Sequence, residues 1–318
     1  MKPLPASLRS LLLVVLALVV SAISLFFRLP EDATSFVLWQ LRAPRVFLGL
    51  VAGSQLALVG AAYQTLFRNP LAESSTLGTT AGAALGALLS LTLDLEGFGS
   101  FAATSVFSFA GAVAASFLVL RIAASSRARL EEVLLAGIAV TLAASALAQT
   151  AQALSDPNRL FAATMWSMGQ LPQVGFERVA YGLIPLALAT VVLLRNRRAL
   201  SAMLLGEPWA RSLGVPTQRV RLEVLLASCL SVGVVVALCG PIAFVGLIVP
   251  HLARPLVRGD ANALLSVSAL LGASFLALSD LFARTCLPDR ELPVGALTAA
   301  LGAPLLLWII ARRPRHSA

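Results

Sequence analysis

LGEPWARSLGVPTQRVR, residues 205–221, interrupts a chain that is otherwise mostly hydrocarbon, and it carries one acid and three arginines within seventeen positions. What flanks it decides the fold class. Of 318 residues, 58% are hydrophobic and 12% charged, with a mean hydropathy of +0.88, whereas about a quarter of a soluble domain is charged. A helix needs about 20 apolar residues to cross a hydrocarbon core about 30 Å thick, and the runs on either side of this stretch are of that kind. They are Leu- and Ala-rich rather than ten-residue alternating segments, so they predict a helical bundle and not a barrel. The expectation is an all-α membrane protein of about ten transmembrane helices, near 10–27, 44–66, 75–93, 101–122, 133–153, 178–194, 222–240, 242–257, 263–281 and 294–311.

Within residues 205–221, Glu207-Pro208-Trp209 opens a short helix with an acid in its first turn, and Gly214 is a natural stop. Trp209, Ala210 and Leu213 give that helix a small apolar face. The N-terminal run after MKPLPASLRS is long enough to span, and no small-x-small site precedes RLPEDATS, so it reads as a retained first helix.

Charge sets the sidedness. With a cytoplasmic N-terminus, the inner gaps hold 17 of the 24 Lys and Arg and 6 of the 15 acids, a net +11 inside against −2 outside. That obeys the positive-inside rule and returns both termini to the cytoplasm. The basicity is orientation charge, suited also to anionic lipid, and calls for no nucleic acid.

Several chemistries are excluded. Lys2 is the only lysine, so no Walker A motif exists; His251 and His316 are the only histidines, so no HExxH site or histidine cluster can form. Cys229, Cys239 and Cys286 lack metal spacing. Asp94, Glu177, Asp280 and Arg254 sit near span ends, whereas ion-coupled carriers hold acids at mid-depth. A secondary transporter, the alternative, is thereby disfavoured, as is a membrane-embedded enzyme, and the energy source is expected on another subunit.

Four stretches carry further information. LRAPR places Arg42 and Arg45 at an outer end that the charge rule disfavours. They either snorkel or meet a negatively charged partner. In RNPLAESSTLG, Pro70 forbids helix and restricts Asn69, giving a re-entry turn. Gly78, Gly82 and Gly86 then repeat at i, i+4 and i+8, a stripe for close helix packing. In CGPIAFVGLIVPHLARPLVRGD, residues 239–260, Pro241 and Pro250 fall inside an apolar run and predict a broken or kinked span. Arg284 and Arg290 repeat the outer arginine pattern before a last helix that Pro293 opens.

Taken in order, LRAPR, RNPLAESSTLG, MWSMGQL, LGEPWARSLGV, GPIAFVGLIVPHLARPLVRGD and ELPVGALTAALGAP resemble the permease subunits of iron-siderophore, haem and vitamin B12 ABC importers, the FecCD family, over almost the whole chain. The resemblance implies a type II importer permease fold in which residues 1–318 form one transmembrane domain, paired with a second permease copy in the bacterial inner membrane. It implies that no cofactor is bound by this chain, ATP and Mg residing on separate ABC ATPase subunits, and that a periplasmic or lipid-anchored substrate-binding protein docks above. Arg42, Arg45 and Arg284 then take the docking role. Residues 205–215 resemble the cytoplasmic coupling helix, with Gly206 and Gly214 bounding it and Glu207, Trp209, Ala210 and Leu213 meeting the ATPase. The cytoplasmic gate falls near Leu130 and Glu131, where relatives carry small hydroxyl residues.

Overall fold

Leu- and Ala-rich runs punctuated by Gly and Pro fold, in a computed structural model that describes residues 6–27, 35–92, 100–124, 129–173, 175–257, 261–287 and 290–311, into helices throughout. Among the described residues, six helices are long and apolar enough to cross a membrane. These are α1 (Ala6–Phe26), α2 (Ala43–Leu66, continued from a π-helical turn at Val37–Arg42), α4 (Ser100–Ala123), α5 (Leu130–Ala153), α10 (Thr217–Cys239) and α12 (Ala261–Thr285). The pair α7 (Phe176–Arg195) and α8 (Arg197–Met203), bent by 49°, is a seventh candidate if it is counted as one span. Three shorter apolar helices, α3 (Thr79–Thr92), α11 (Val245–Val257) and α13 (Val294–Ala311), complete the ten predicted segments. The predicted third span begins at 79 rather than 75, and the sequence reading of its end at 93, of residues 125–128 and of the two termini lies outside the described residues.

Two further helices are short. One is α9 (Glu207–Ser212), the helix expected within 205–221. The other, α6 (Pro157–Ser167), stands in a stretch the pattern reads only as an outer gap. Its signal was local: Asp156 in extended backbone followed by Pro157 at the first helical position.

The centre of the bundle is α2, most of whose residues are buried and which packs on α12, α11, α10 and α7. Glycine allows these approaches. A Cβ on Gly53 would collide with the carbonyl of Gly272 in α12, and one on Gly60 with the backbone of Gly246 in α11. Lipid-embedded helices gain little from hydrophobic exclusion, so such backbone proximity is where their packing energy lies. The expected stripe divides. Gly82 and Gly86 face Phe107, Gly111 and Ala115 of α4, but Gly78 stands one residue before α3 at φ +75° and faces Gly137 and Val140 of α5.

The anticipated break near Pro241 and Pro250 falls at 240–244. Gly240 takes φ +67° and Phe244 φ +68°, and α11 starts only at Val245. Pro250 lies inside α11 without ending it. Having no N–H, it leaves the carbonyl of Gly246, four residues back, without its helical donor. Gln64 of α2 supplies the replacement, its Nε2 donating to Gly246 O at 3.3 Å and Leu247 O at 3.2 Å.

Candidate functional site

The bundle has two chemically distinct ends. At one, the carbonyls that close α1 meet the start of α2: Arg42 Nη1 donates to Leu25 O at 2.8 Å and Phe27 O at 3.0 Å. A cation there complements the negative end of the helix dipole. One turn on, Arg45 points between α2 and α12. Its Nε and Nη2 reach Asp280 Oδ1 at 3.0 and 2.9 Å, and its Nη1 reaches Glu291 Oε2 at 2.7 Å. Arg284, one turn after Asp280, places Nε 3.0 Å from Asp280 Oδ2 and bonds the hydroxyl of Ser24 in α1. The three arginines expected at a docking surface are therefore neighbours, although Arg45 and Asp280 are only 5% and 1% exposed. Most of the Arg45 guanidinium is turned into the bundle, because Asp280 demands a counter-charge at a buried position, and its Nη1 edge faces the half-exposed Glu291. Arg290 is exposed beside this cluster.

At the other end lies α9. Gly206 at φ +116° and Gly214 at φ +80° turn the chain into and out of it, conformations that side chains strongly disfavour. Trp209 and Leu213 are 58% and 60% exposed, on one side of the helix. Ala210 is fully buried in the core and seats the helix, so of the three residues expected to form one apolar face Trp209 and Leu213 are the two displayed. Periodicity puts i and i+4 on one face and i+1 on another.

An ionic lock fixes α9 to α10. Arg221, 2% exposed, donates Nη2 to Glu207 Oε1 at 2.7 Å. Arg211 adds a bond from Nε to Thr217 Oγ1 at 3.1 Å, and Val215 N–H reaches Ala210 O at 3.0 Å. The chain's numbering gave no hint of Arg221, since it reads as one more arginine in a basic gap.

At the same end, Leu130 is half-buried and packs on the core, and Glu131 is exposed. The first turn of α5 closes with Glu132 Oε2 accepting the Arg129 N–H at 3.1 Å. Nearby, the turn at 67–78 carries Glu73, which is held above the usual carboxylate range by burial, opposed by bonds from the Ser75 hydroxyl and the Phe244 N–H. Glu73 thus ties this turn to the 240–244 break. Among the described residues, no group of three or more His, Cys, Asp or Glu could hold a metal ion.

A third junction joins the middle of the molecule to the Arg45 end. Gly169, at φ +69°, approaches Pro241 O; Gln170 N–H bonds Cys239 O at 2.8 Å, and Gly295 N–H bonds Gly169 O at 3.0 Å. Three segments without regular structure, around MWSMGQL, CGPI and LPVG, are stitched together backbone to backbone. Non-helical backbone is tolerated at membrane depth only when it is buried in protein in this way.

This arrangement has relatives. The profile of the FecCD transport family matches residues 7–312. The chain belongs to the FecCD transport family. A hemin transport system permease protein, HmuU of Yersinia pestis, is 38% identical over 316 residues, covering 95% of this chain and 94% of that protein. A vitamin B12 import system permease protein, BtuC of Serratia proteamaculans, is 38% identical over 283 residues, covering 88% and 83%. A solved structure described as an inward-facing conformation of a metal-chelate type ABC transporter superposes with a TM-score of 0.83 at 32% identity, over 96% of this chain and 99% of that one. FecCD membership makes the chain a multi-pass membrane transport permease, and its helical bundle, with six or seven candidate spans among the described residues, is that of an ABC transporter permease.

Proposed function

We propose that this FecCD permease is the translocation subunit of an ATP-driven importer of a bulky metal chelate, of the ferric siderophore, haem or cobalamin class. It works as two permease copies in the bacterial inner membrane. ATP and Mg act on separate ATPase subunits at the α9 end, and a substrate-binding protein docks at the Arg45 end. The arginine bias supports the α9 end as cytoplasmic, since Arg9, Arg68, Arg129, Arg195, Arg197 and Arg198 gather there with Arg211, Arg219 and Arg221. Both termini then face the cytoplasm, because α1 begins and α13 ends on that side. The exposed row Leu135, Ile138 and Leu142 on α5 is the face offered to the second copy.

The observation that carries the reading is Trp209 and Leu213, displayed to the outside on a six-residue helix locked from behind. Helices this short do not hold themselves together, so a buttressed one bearing two large exposed apolar side chains is built to be pushed. Motion of α9 is handed to α10, and packed helices convert it into alternating access past the gate near Leu130 and Glu131.

The test is co-purification with the candidate ATPase. Trp209→Ala with Leu213→Asp is expected to lower bound ATPase and ligand-stimulated hydrolysis at least tenfold, with an unchanged elution profile of the permease. An ATPase that binds and fires normally removes residues 205–215 from the coupling surface.

A further inference from the structure

We propose that Glu291 occupies, within the permease itself, the position that an acidic side chain of the docked binding protein takes, so that docking and the Arg45–Glu291 pair exclude each other. This rests on the docking reading above. The two acids of the arginine cluster are not equivalent. Asp280 is 1% exposed and lies between Arg45 and Arg284, so an arriving carboxylate cannot replace it without stranding a buried charge. Glu291 reaches the same Arg45 from a segment without regular structure, and its side chain is 50% exposed where that of Arg45 is 6%. Glu291 therefore covers the guanidinium on the solvent side. A half-exposed ion pair contributes little net stability, so a carboxylate presented on a rigid partner surface can exchange with it. Arg42, on the carbonyls that close α1, and the exposed Arg290, which precedes Glu291 in the chain, add positive charge at this end.

The exchange has somewhere to go. Three residues after Glu291 the chain enters α13. Leu292 N–H bonds Ala283 O at 3.0 Å, Gly295 N–H bonds Gly169 O at 3.0 Å, and Gly302 lies against the ring of Phe244. Releasing Glu291 removes the charged tether of the α12–α13 connection and leaves the backbone bonds as a hinge. Docking is thereby read out as freedom of the outer end of α13, next to the 240–244 break.

The experiment uses the complete transporter, permease with its ATPase in lipid nanodiscs, and the binding protein titrated onto it. Glu291→Gln keeps shape and removes the charge. It is expected to tighten binding-protein affinity about tenfold and to shift stimulation of ATP hydrolysis to correspondingly lower binding-protein concentration, with Arg42→Glu weakening affinity in parallel measurements. If Glu291→Gln weakens binding or leaves it unchanged while Arg42→Glu weakens it, docking does not enter the partner set of Arg45 and the exchange is refuted, docking itself surviving. If neither variant moves the affinity, the docking surface is elsewhere and both fall.

Discussion

Replacing Arg221 by alanine is expected to leave ATP hydrolysis running while transport stops. On the proposed reading the ATPase meets Trp209 and Leu213, which this substitution does not touch. What it removes is the bond from Arg221 Nη2 to Glu207 Oε1, the charged link between α9 and the transmembrane helix α10. Arg211, 3.4 Å from the same oxygen, pairs with it inside α9, and its bond to Thr217 Oγ1 is a link to α10 through a neutral hydroxyl that does not replace the ionic one. Truncating one partner of a buried ion pair costs about 3–5 kcal/mol, and with Glu207 partly exposed the lower part of that range applies here. This is enough to let a six-residue helix move without taking α10 along. In proteoliposomes, substrate imported per ATP hydrolysed is expected to fall at least tenfold, with hydrolysis within about twofold of wild type. Glu207→Gln changes the ratio in the same direction by less, since a neutral hydrogen bond replaces the ionic one. A fall in hydrolysis and transport together would mean that α9 needs Arg221 to fold; no change in either would reduce Arg221 to packing.

The second large effect is on folding. Gly60→Leu is expected to abolish recovery of monodisperse permease, because a Cβ at Gly60 meets the backbone of Gly246, and backbone, unlike a side chain, cannot rotate aside. Such clashes belong to the rare class costing more than about 4 kcal/mol. Gly214→Ala makes the contrast. Nothing lies within 4 Å of a Cβ there, and only the φ of +80° opposes it, a penalty of about 1–2 kcal/mol. Gly214→Ala should therefore be recovered with the wild-type elution profile and a slightly lower melting temperature in detergent. A Gly60→Leu protein that melts like wild type would show that α2 and α11 do not approach so closely.

Much of this was open to reading in the residues. The apolar runs located the ten apolar helical segments, of which six or seven are long enough to cross, because length and composition decide what hydrocarbon accepts. Glu207-Pro208-Trp209 announces the start of α9 and Gly214 its end, because Pro suits a first turn and positive φ has few occupants other than glycine. What escaped were relations across the chain. Arg45 and Asp280 are 235 positions apart, so no local pattern tells an arginine aimed at solvent from one aimed at a buried acid. Ala210 and Trp209 are both apolar neighbours, and only the packed bundle shows which of them it needs. Pro250 was read as a breaker, and would have been one without Gln64, 186 positions earlier, to take over the freed carbonyl. Gly78 matched the spacing of Gly82 and Gly86, yet a left-handed turn, not a helix, employs it.

The unequal lengths of the crossing helices bear on the lipid. At about 1.5 Å per residue, the 14 residues of α3 and the 13 of α11 extend about 20 Å, well short of a hydrocarbon core about 30 Å thick. Both are completed by buried irregular backbone, the 67–78 turn and the 240–244 break. At the rim stands α1, whose 21 residues are mostly exposed and long enough to span with some tilt. Hydrophobic mismatch is therefore absorbed at the rim, by tilting of the peripheral helices, while the short central ones are insulated from it. Bilayers of differing thickness should change how the bundle leans and leave the junctions that translocation uses in register.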